Sequence, residues 1–205
     1  PREPVQKETK VSRTDPESGY MVRDGKPKGF FYLDHRTVDG RLGIITDTHA
    51  TPANVHDSIV YLGRLDRQRQ RFGFDVGAVG LDAGYATSGI AKGLEDAGIT
   101  HAEISHGIGI GGKMIGFSAI VDDEELLSAA KKAAPNLKIS VFVSPIDIAL
   151  PILPGLLEYF EIGRVGINVN QVPVAAKYIQ KLKKYEKKVS VQLTRCHALP
   201  VEETV

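Results

Sequence analysis

Residues 188–194 read Lys-Val-Ser-Val-Gln-Leu-Thr, and residues 164–169 read Arg-Val-Gly-Ile-Asn-Val. Both are short runs rich in β-branched residues, the mark of strands. Between them Val174 to Tyr185 carries the spacing of a helix. The two strands start about 25 residues apart, which is the length of one strand-plus-helix unit. The same grammar continues upstream. Lys138 to Ser144 is a strand, and Ala149 to Tyr159 is a helix interrupted early by Pro151 and Pro154. Glu124 to Ala134 is a helix with Asp122 and Asp123 at its N-terminus, where negative charge is favoured. Ala102-Glu103-Ile104-Ser105 is a short strand, preceded by a helix over Ile90 to Ala97 that Gly98 stops. Alternating strands and helices predict an α/β fold with a parallel sheet, buried on both faces and hence rich in Val and Ile. Eight such units, roughly 250 residues, close a barrel. Residues 89–205 hold about four, so half a barrel or a small open sheet is expected.

The chain ahead of residue 89 has a different texture. Residues 1–29 are polar, with few apolar side chains, and read as a loop or arm. Gly29-Phe30-Phe31-Tyr32-Leu33 is a strand, Val38-Asp39-Gly40-Arg41 a tight hairpin turn, and Leu42 to Thr48 the returning strand. Asp57 or Ser58 caps a helix whose inner face holds Ile59, Leu62, Leu65 and Phe72. Its outer face carries Arg64, Arg67, Arg69 and Arg71, expected to be solvated or, as the alternative, to touch DNA phosphates. Val76 to Leu81 is a further strand, ending at Asp82-Ala83-Gly84-Tyr85. Two pieces follow, residues 1–88 and 89–205, with the seam near Ser88.

Composition excludes several classes. Of 205 residues, 42% are apolar and 25% charged, as in an ordinary globular protein. The net charge of +1 is not that of a dedicated nucleic-acid binder. No apolar run is long enough to span a membrane, and no leader peptide is expected. A single cysteine, Cys196, excludes an intrachain disulfide framework, so the cytoplasm is the expected compartment. The first residue is Pro1, which suggests that the reading starts inside a longer gene or that a segment has been removed.

The motifs of the first piece are dense. Thr14-Asp15-Pro16-Glu17-Ser18-Gly19-Tyr20, Asp34 to Gly40, Ile44 to Ser58 and Val79 to Tyr85 resemble the DDE transposases of bacterial insertion sequences, over residues 10–88. The resemblance implies an RNase H-like fold, here truncated, and DNA strand transfer. Such chemistry uses divalent metals, held by three acids on separate elements, to activate one oxygen and stabilise another. Hard oxygen ligands suit Mg2+. By the resemblance Asp82 is the second acid of the triad and a metal ligand. The strand bearing the first acid and the glutamate that supplies the third are not found in this sequence. Asp34, Asp39, Asp47 and Asp57 match no triad position and are expected in turns, caps and surface roles. His35, His49 and His56 match no zinc spacing and are expected to be solvated or hydrogen-bonded.

Residues 91–199 resemble a second family. Gly93 to Ile99, Ala102 to Gly111 and Arg164 to Asn170 are similar to metal-dependent barrel aldolases and lyases, of the 4-hydroxy-2-oxovalerate aldolase and hydroxymethylglutaryl-CoA lyase type. This implies part of a TIM barrel, with a divalent metal that polarises a carbonyl. The family's Asp-Arg-Glu and His-x-His metal motifs are absent, and Cys196-His197 is not that pair. Glu103 matches an acidic strand-end position of the family; His106 and Asn170 are weaker candidates. Gly107 to Gly112 also fits a dinucleotide-binding glycine pattern, but the next helix starts too late for one.

Three readings follow. The chain is a chimeric remnant, catalytically inactive alone and prone to self-association through exposed sheet edges. It is a transposase fragment that binds DNA with missing parts supplied by a partner. Or it is a partial barrel that oligomerises into a carbon–carbon lyase.

Overall fold

The computed structural model describes residues 9–23, 26–108, 123–143, 149–168 and 172–194. The chain forms two compact units, Pro1–Phe74 and Asp75–Val205.

The first unit holds an antiparallel sheet of three strands, β1 (Gly19–Met21), β2 (Gly29–Val38) and β3 (Ile45–Pro52), in that order, and helix α1 (Asp57–Phe72). β1 was not expected: with only three residues, Gly-Tyr-Met, it has too little length to show a period. It pairs with Gly29–Phe31 of β2. The hairpin turn is also wider than the Asp-Gly signal suggests. Asp39 N–H donates to the Ile44 carbonyl, the Asp39 carboxylate accepts from Leu42 N–H at 2.7 Å, and Gly43 takes the left-handed position at φ 70°. Position 43, not Gly40, therefore carries the conformational demand of the turn. His56, not Asp57 or Ser58, is the N-cap of α1; its Nδ1 accepts from Ser58 N–H. Gly73, left-handed at φ 66°, ends the helix.

The second unit is a five-stranded parallel sheet in the order β4 (Ala78–Asp82), β5 (His101–Ile108), β6 (Lys138–Val143), β7 (Ile162–Asn168) and β8 (Lys188–Thr194). The connections carry α2 (Ser88–Asp96), α3 (Asp123–Ala133), α4 (Ala149–Leu156) and α5 (Val172–Lys184). The sheet has one strand more than the four units expected, because β4 pairs with β5 (Ala78 opposite His101, Asp82 opposite Ser105). Residues 76–88, grouped with the first piece on motif grounds, thus lie in the second compact unit.

Strand order follows chain order, so every right-handed crossover returns its helix to the same side of the sheet. That side is apolar. Ala102, Ile139, Val141, Val143, Val165 and Ile167 alternate along their strands and are buried, and Leu182 of α5 fills the space that a side chain at Gly163 would need. Glu161 ties the N-terminal edge of the layer together: its carboxylate accepts from Ile139 N–H and from the Lys131 ammonium of α3, both at 2.7 Å.

Candidate functional site

Strand alternation sends the other set of side chains to the face opposite the helices. Gly80 and Asp82 of β4, Glu103 of β5, Ser140 and Phe142 of β6, and Ile162, Arg164 and Gly166 of β7 share that face, fixed by the register Gly80–Glu103–Ser140–Ile162 and Phe142–Arg164. In a closed barrel this face is the lumen.

Its centre is an ion pair. Arg164 of β7 reaches past β6 and places Nη1 on the Glu103 carboxylate of β5. The guanidinium lies over the Phe142 ring, 5.3 Å from its centroid. Phe142 in turn covers Gly166, where an added Cβ would stand 1.9 Å from the ring. Arg164 is mostly buried, and that burial lowers its pKa from the ordinary guanidinium value. Among the described residues its Nε has no hydrogen-bond partner. Glu103, expected from the sequence as a strand-end acid, is thus placed on the polar face and engaged by an arginine. Arg164 was not singled out: its cue, a cation inside an otherwise apolar strand, is visible in the run Ile162–Asn168.

Asp82 is the last residue of β4 and is exposed. It shares the face of Glu103 one same-face step closer to the C-terminal ends of the strands. No group of three or more His, Cys, Asp or Glu side chains that could hold a metal occurs among the described residues. Two carboxylates, one of them committed to Arg164, do not make a divalent-metal site, for Mg2+ or any other ion, so the described residues do not fit the metal that both resemblances imply. For His106 the structure describes the backbone within β5, not the side chain; Asn170, Cys196, His197 and most of the run Gly107 to Gly112 lie outside the described residues.

The first unit corrects two expectations. Arg64 was placed on a solvated outer face of α1. It is buried, 4% exposed, and its Nε donates to Asp47 Oδ2 at 2.7 Å while Nη2 donates to the His35 carbonyl and Thr37 Oγ1. Asp47, expected in a turn or at the surface, is the buried partner of both Arg64 and Arg67. Burial pushes its carboxyl upward, but the hydrogen bonds and charges of Arg64 and Arg67 outweigh that and hold it below the usual value. His35, also buried, sits between Thr51 Oγ1, 2.8 Å from Nε2, and Asp57 Oδ1, 3.5 Å from Nδ1. The alternative expectation, that these arginines meet DNA, thus loses Arg64 to an internal role.

No helix among the described residues is long and apolar enough to cross a membrane. No protein-family model matches the chain. Curated proteins similar to it include the 4-hydroxy-2-oxovalerate aldolase of Moorella thermoacetica, 31% identical over 121 residues, covering 57% of this chain and 35% of that protein. The 4-hydroxy-2-oxovalerate aldolase of Carboxydothermus hydrogenoformans is 29% identical over 118 residues, with the same two shares, 57% and 35%. The oxaloacetate decarboxylase of Mycobacterium tuberculosis is 24% identical over 104 residues, or 51% of this chain and 31% of that protein. The chain spans about a third of the length of the curated relatives that it matches. The matches bear on the aldolase resemblance and not on the transposase one. A match of 121 residues is longer than the whole of Pro1–Phe74, so it extends into the parallel-sheet unit.

Proposed function

We propose that the parallel-sheet unit is a section of an aldolase-type barrel that cleaves a carbon–carbon bond beside the carbonyl of a 4-hydroxy-2-oxo acid. The observation that carries this reading is the sequential parallel sheet itself. Five parallel strands in chain order, with the helices on one side, are what five consecutive units of such a barrel contain. The likeness to the aldolases points to the same chemistry. In the reaction the hydroxyl at C4 loses its proton, the bond between C3 and C4 breaks, and the electron pair passes to the carbonyl as an enolate. Protonation at C3 then releases a 2-oxo acid beside an aldehyde. On this reading Arg164 fixes the Glu103 carboxylate on the luminal face, where it accepts a hydrogen bond from a substrate hydroxyl. The divalent metal that the reading brings with it needs ligands beyond the described residues, and further strands to close the barrel.

The experiment is pyruvate release from 4-hydroxy-2-oxovalerate by the full chain with added Mn2+ or Mg2+. Release that stops with a chelator and with Glu103→Gln supports the reading.

A second reading rests on the lack of a three-donor metal group among the described residues. In it the chain joins an insertion-sequence transposase piece, residues 1–88 with Asp82 as a former triad acid, to an aldolase piece, and neither part turns over; the boundary between the compact units, at Phe74, does not coincide with that seam. No pyruvate under any metal, from a chain shown to be folded, favours this second reading.

A further inference from the structure

Residues 177–188 hold six lysines and one acid, Glu186. They run from the middle of α5 through the loop after it to the first residue of β8. The parallel strands all start at this end of the sheet, and it also receives Lys131 and Lys132 from the last turn of α3 and Lys138, the first residue of β6. The fold gathers these groups. The connection Phe160–Glu161, ahead of β7, is held from both sides: Lys131 donates to the Glu161 carboxylate at 2.7 Å and Lys187 to the Phe160 carbonyl at 2.8 Å. The end of α3 and the loop after α5 therefore flank one short stretch of chain. Lys132, Lys138, Lys183, Lys184 and Lys188 are exposed around it, and none of the five pairs with a carboxylate among the described residues. The acids beside them are Glu161, taken by Lys131, and the exposed Glu158 and Glu186. Helix ends favour cations, which accounts for lysines in the last turns of α3 and α5. It does not account for Lys138, Lys187 and Lys188, which lie outside any helix.

The chemistry of this edge selects its partner. The exposed large apolar residues described in this unit are elsewhere: Ile152 near the start of α4, Val172 and Val174 at the start of α5, and Val191 midway along β8. A protein partner needs an apolar centre to its interface, and a membrane surface without inserted apolar side chains is held weakly. Nucleic acid is held by charge alone, through its phosphates. We propose that the N-terminal ends of β6 to β8, with the ends of α3 and α5, form a contact site for the phosphate backbone of double-stranded nucleic acid. Lysine meets a phosphate as a point charge, and phosphate contacts carry no base information, so the contact is independent of sequence. In a barrel the chemistry lies at the opposite, C-terminal ends of the strands. Strands that close a barrel add beside β4 and β8 and leave the starts of β6 to β8 in place, so catalysis and this contact do not compete.

The test is fluorescence anisotropy of a short labelled DNA duplex with the full chain, read across a salt series. Each phosphate engaged adds roughly −0.9 to the slope of the logarithm of the binding constant against that of salt. Lys183→Gln, Lys184→Gln and Lys188→Gln in one chain should flatten the slope by about 2–3 and weaken binding roughly tenfold or more at low salt. The far-ultraviolet spectrum should stay that of the wild type, since all three side chains are exposed. Lys132→Gln with Lys138→Gln, on other elements, should flatten the slope by about 2. Lys26→Gln with Lys28→Gln, exposed in the first unit, removes the same charge and should change it little. No binding at low salt overturns the proposal, as does a slope that both edge variants leave intact, or an equal loss from the first-unit variant. Tighter binding to phosphatidylserine vesicles than to the duplex overturns it in favour of a membrane. Anisotropy reads the lysine edge, whereas pyruvate release reads the opposite end of the strands, so either can fail without the other.

Discussion

The guanidinium of Arg164 on β7 and the carboxylate of Glu103 on β5 meet across β6, on the face of the parallel sheet opposite its described helices. One strand lies between them, so the pair spans two interstrand spacings, roughly 10 Å of sheet. A contact of that length draws three strands into a common curvature. It is the polar counterpart of the Val and Ile rows on the opposite face.

Because Glu103 is 40% exposed, solvent screens much of the attraction. A double-mutant cycle with Arg164→Met and Glu103→Gln should give a coupling of about 0.5–1 kcal/mol in urea unfolding, falling with salt. A coupling indistinguishable from zero at low salt would mean that the pair does not hold the strands.

Gly166 is required by the ring above it. Gly166→Ala would put a methyl group 1.9 Å from Phe142 Cζ, and β7 has no room to move because β6 and β8 flank it. The expected cost is about 1–3 kcal/mol, as for overpacking elsewhere. Phe142→Leu in the same chain should return part of it. If Gly166→Ala alone unfolds at the wild-type denaturant concentration, the ring does not occupy that space.

These two sites show what the sequence can and cannot tell. β8 was legible to the residue, and β6 to within one, since period-2 apolar runs set their own limits. Glu103 was legible as a strand-end acid. Its partner was not, because Arg164 lies 61 positions away (164 less 103) and only the pairing of β5, β6 and β7 brings the two together. β4 was legible as a strand, but its partner was not: five residues, Ala-Val-Gly-Leu-Asp, carry no mark of which sheet they join. The arginines of α1 looked like a solvated face, and Arg64 is buried because Asp47, 17 positions upstream on β3, supplies the opposite charge.

That buried pair should matter more than the one on the open face. Arg64→Met leaves Asp47, 8% exposed, with Arg67 as its remaining cationic partner, and removes donors from the His35 carbonyl and Thr37. Breaking a buried pair from one side costs about 3–5 kcal/mol. Hydrogen exchange along the β2–β3 ladder reads the first unit alone and should accelerate to match, with β5–β7 unchanged. A loss below about 1 kcal/mol would put Arg64 among ordinary surface pairs.

His35 gives the first unit a dependence on pH whose sign can be worked out. Burial disfavours its imidazolium; Asp57 opposes that, while Arg64 and His49 add to it, and the net result is a pKa below the ordinary histidine value. The unfolded chain therefore takes up the proton first, near pH 6.5. Between that pH and the lower folded value the unfolded state holds more protons, so stability falls as pH falls through this window and is full above it. The measurement is a difference between the wild type and a variant that lacks the His35 ring. Hydrogen exchange along β2 and β3, followed from about pH 8 down to about pH 5 with exchange chemistry corrected, should show protection declining in the wild type and declining less in His35→Gln. Glutamine keeps a polar group beside Thr51 without a titrating ring. A wild-type first unit that gains protection on acidification would show that the Asp57 carboxylate, 3.5 Å from Nδ1, outweighs the burial of the ring.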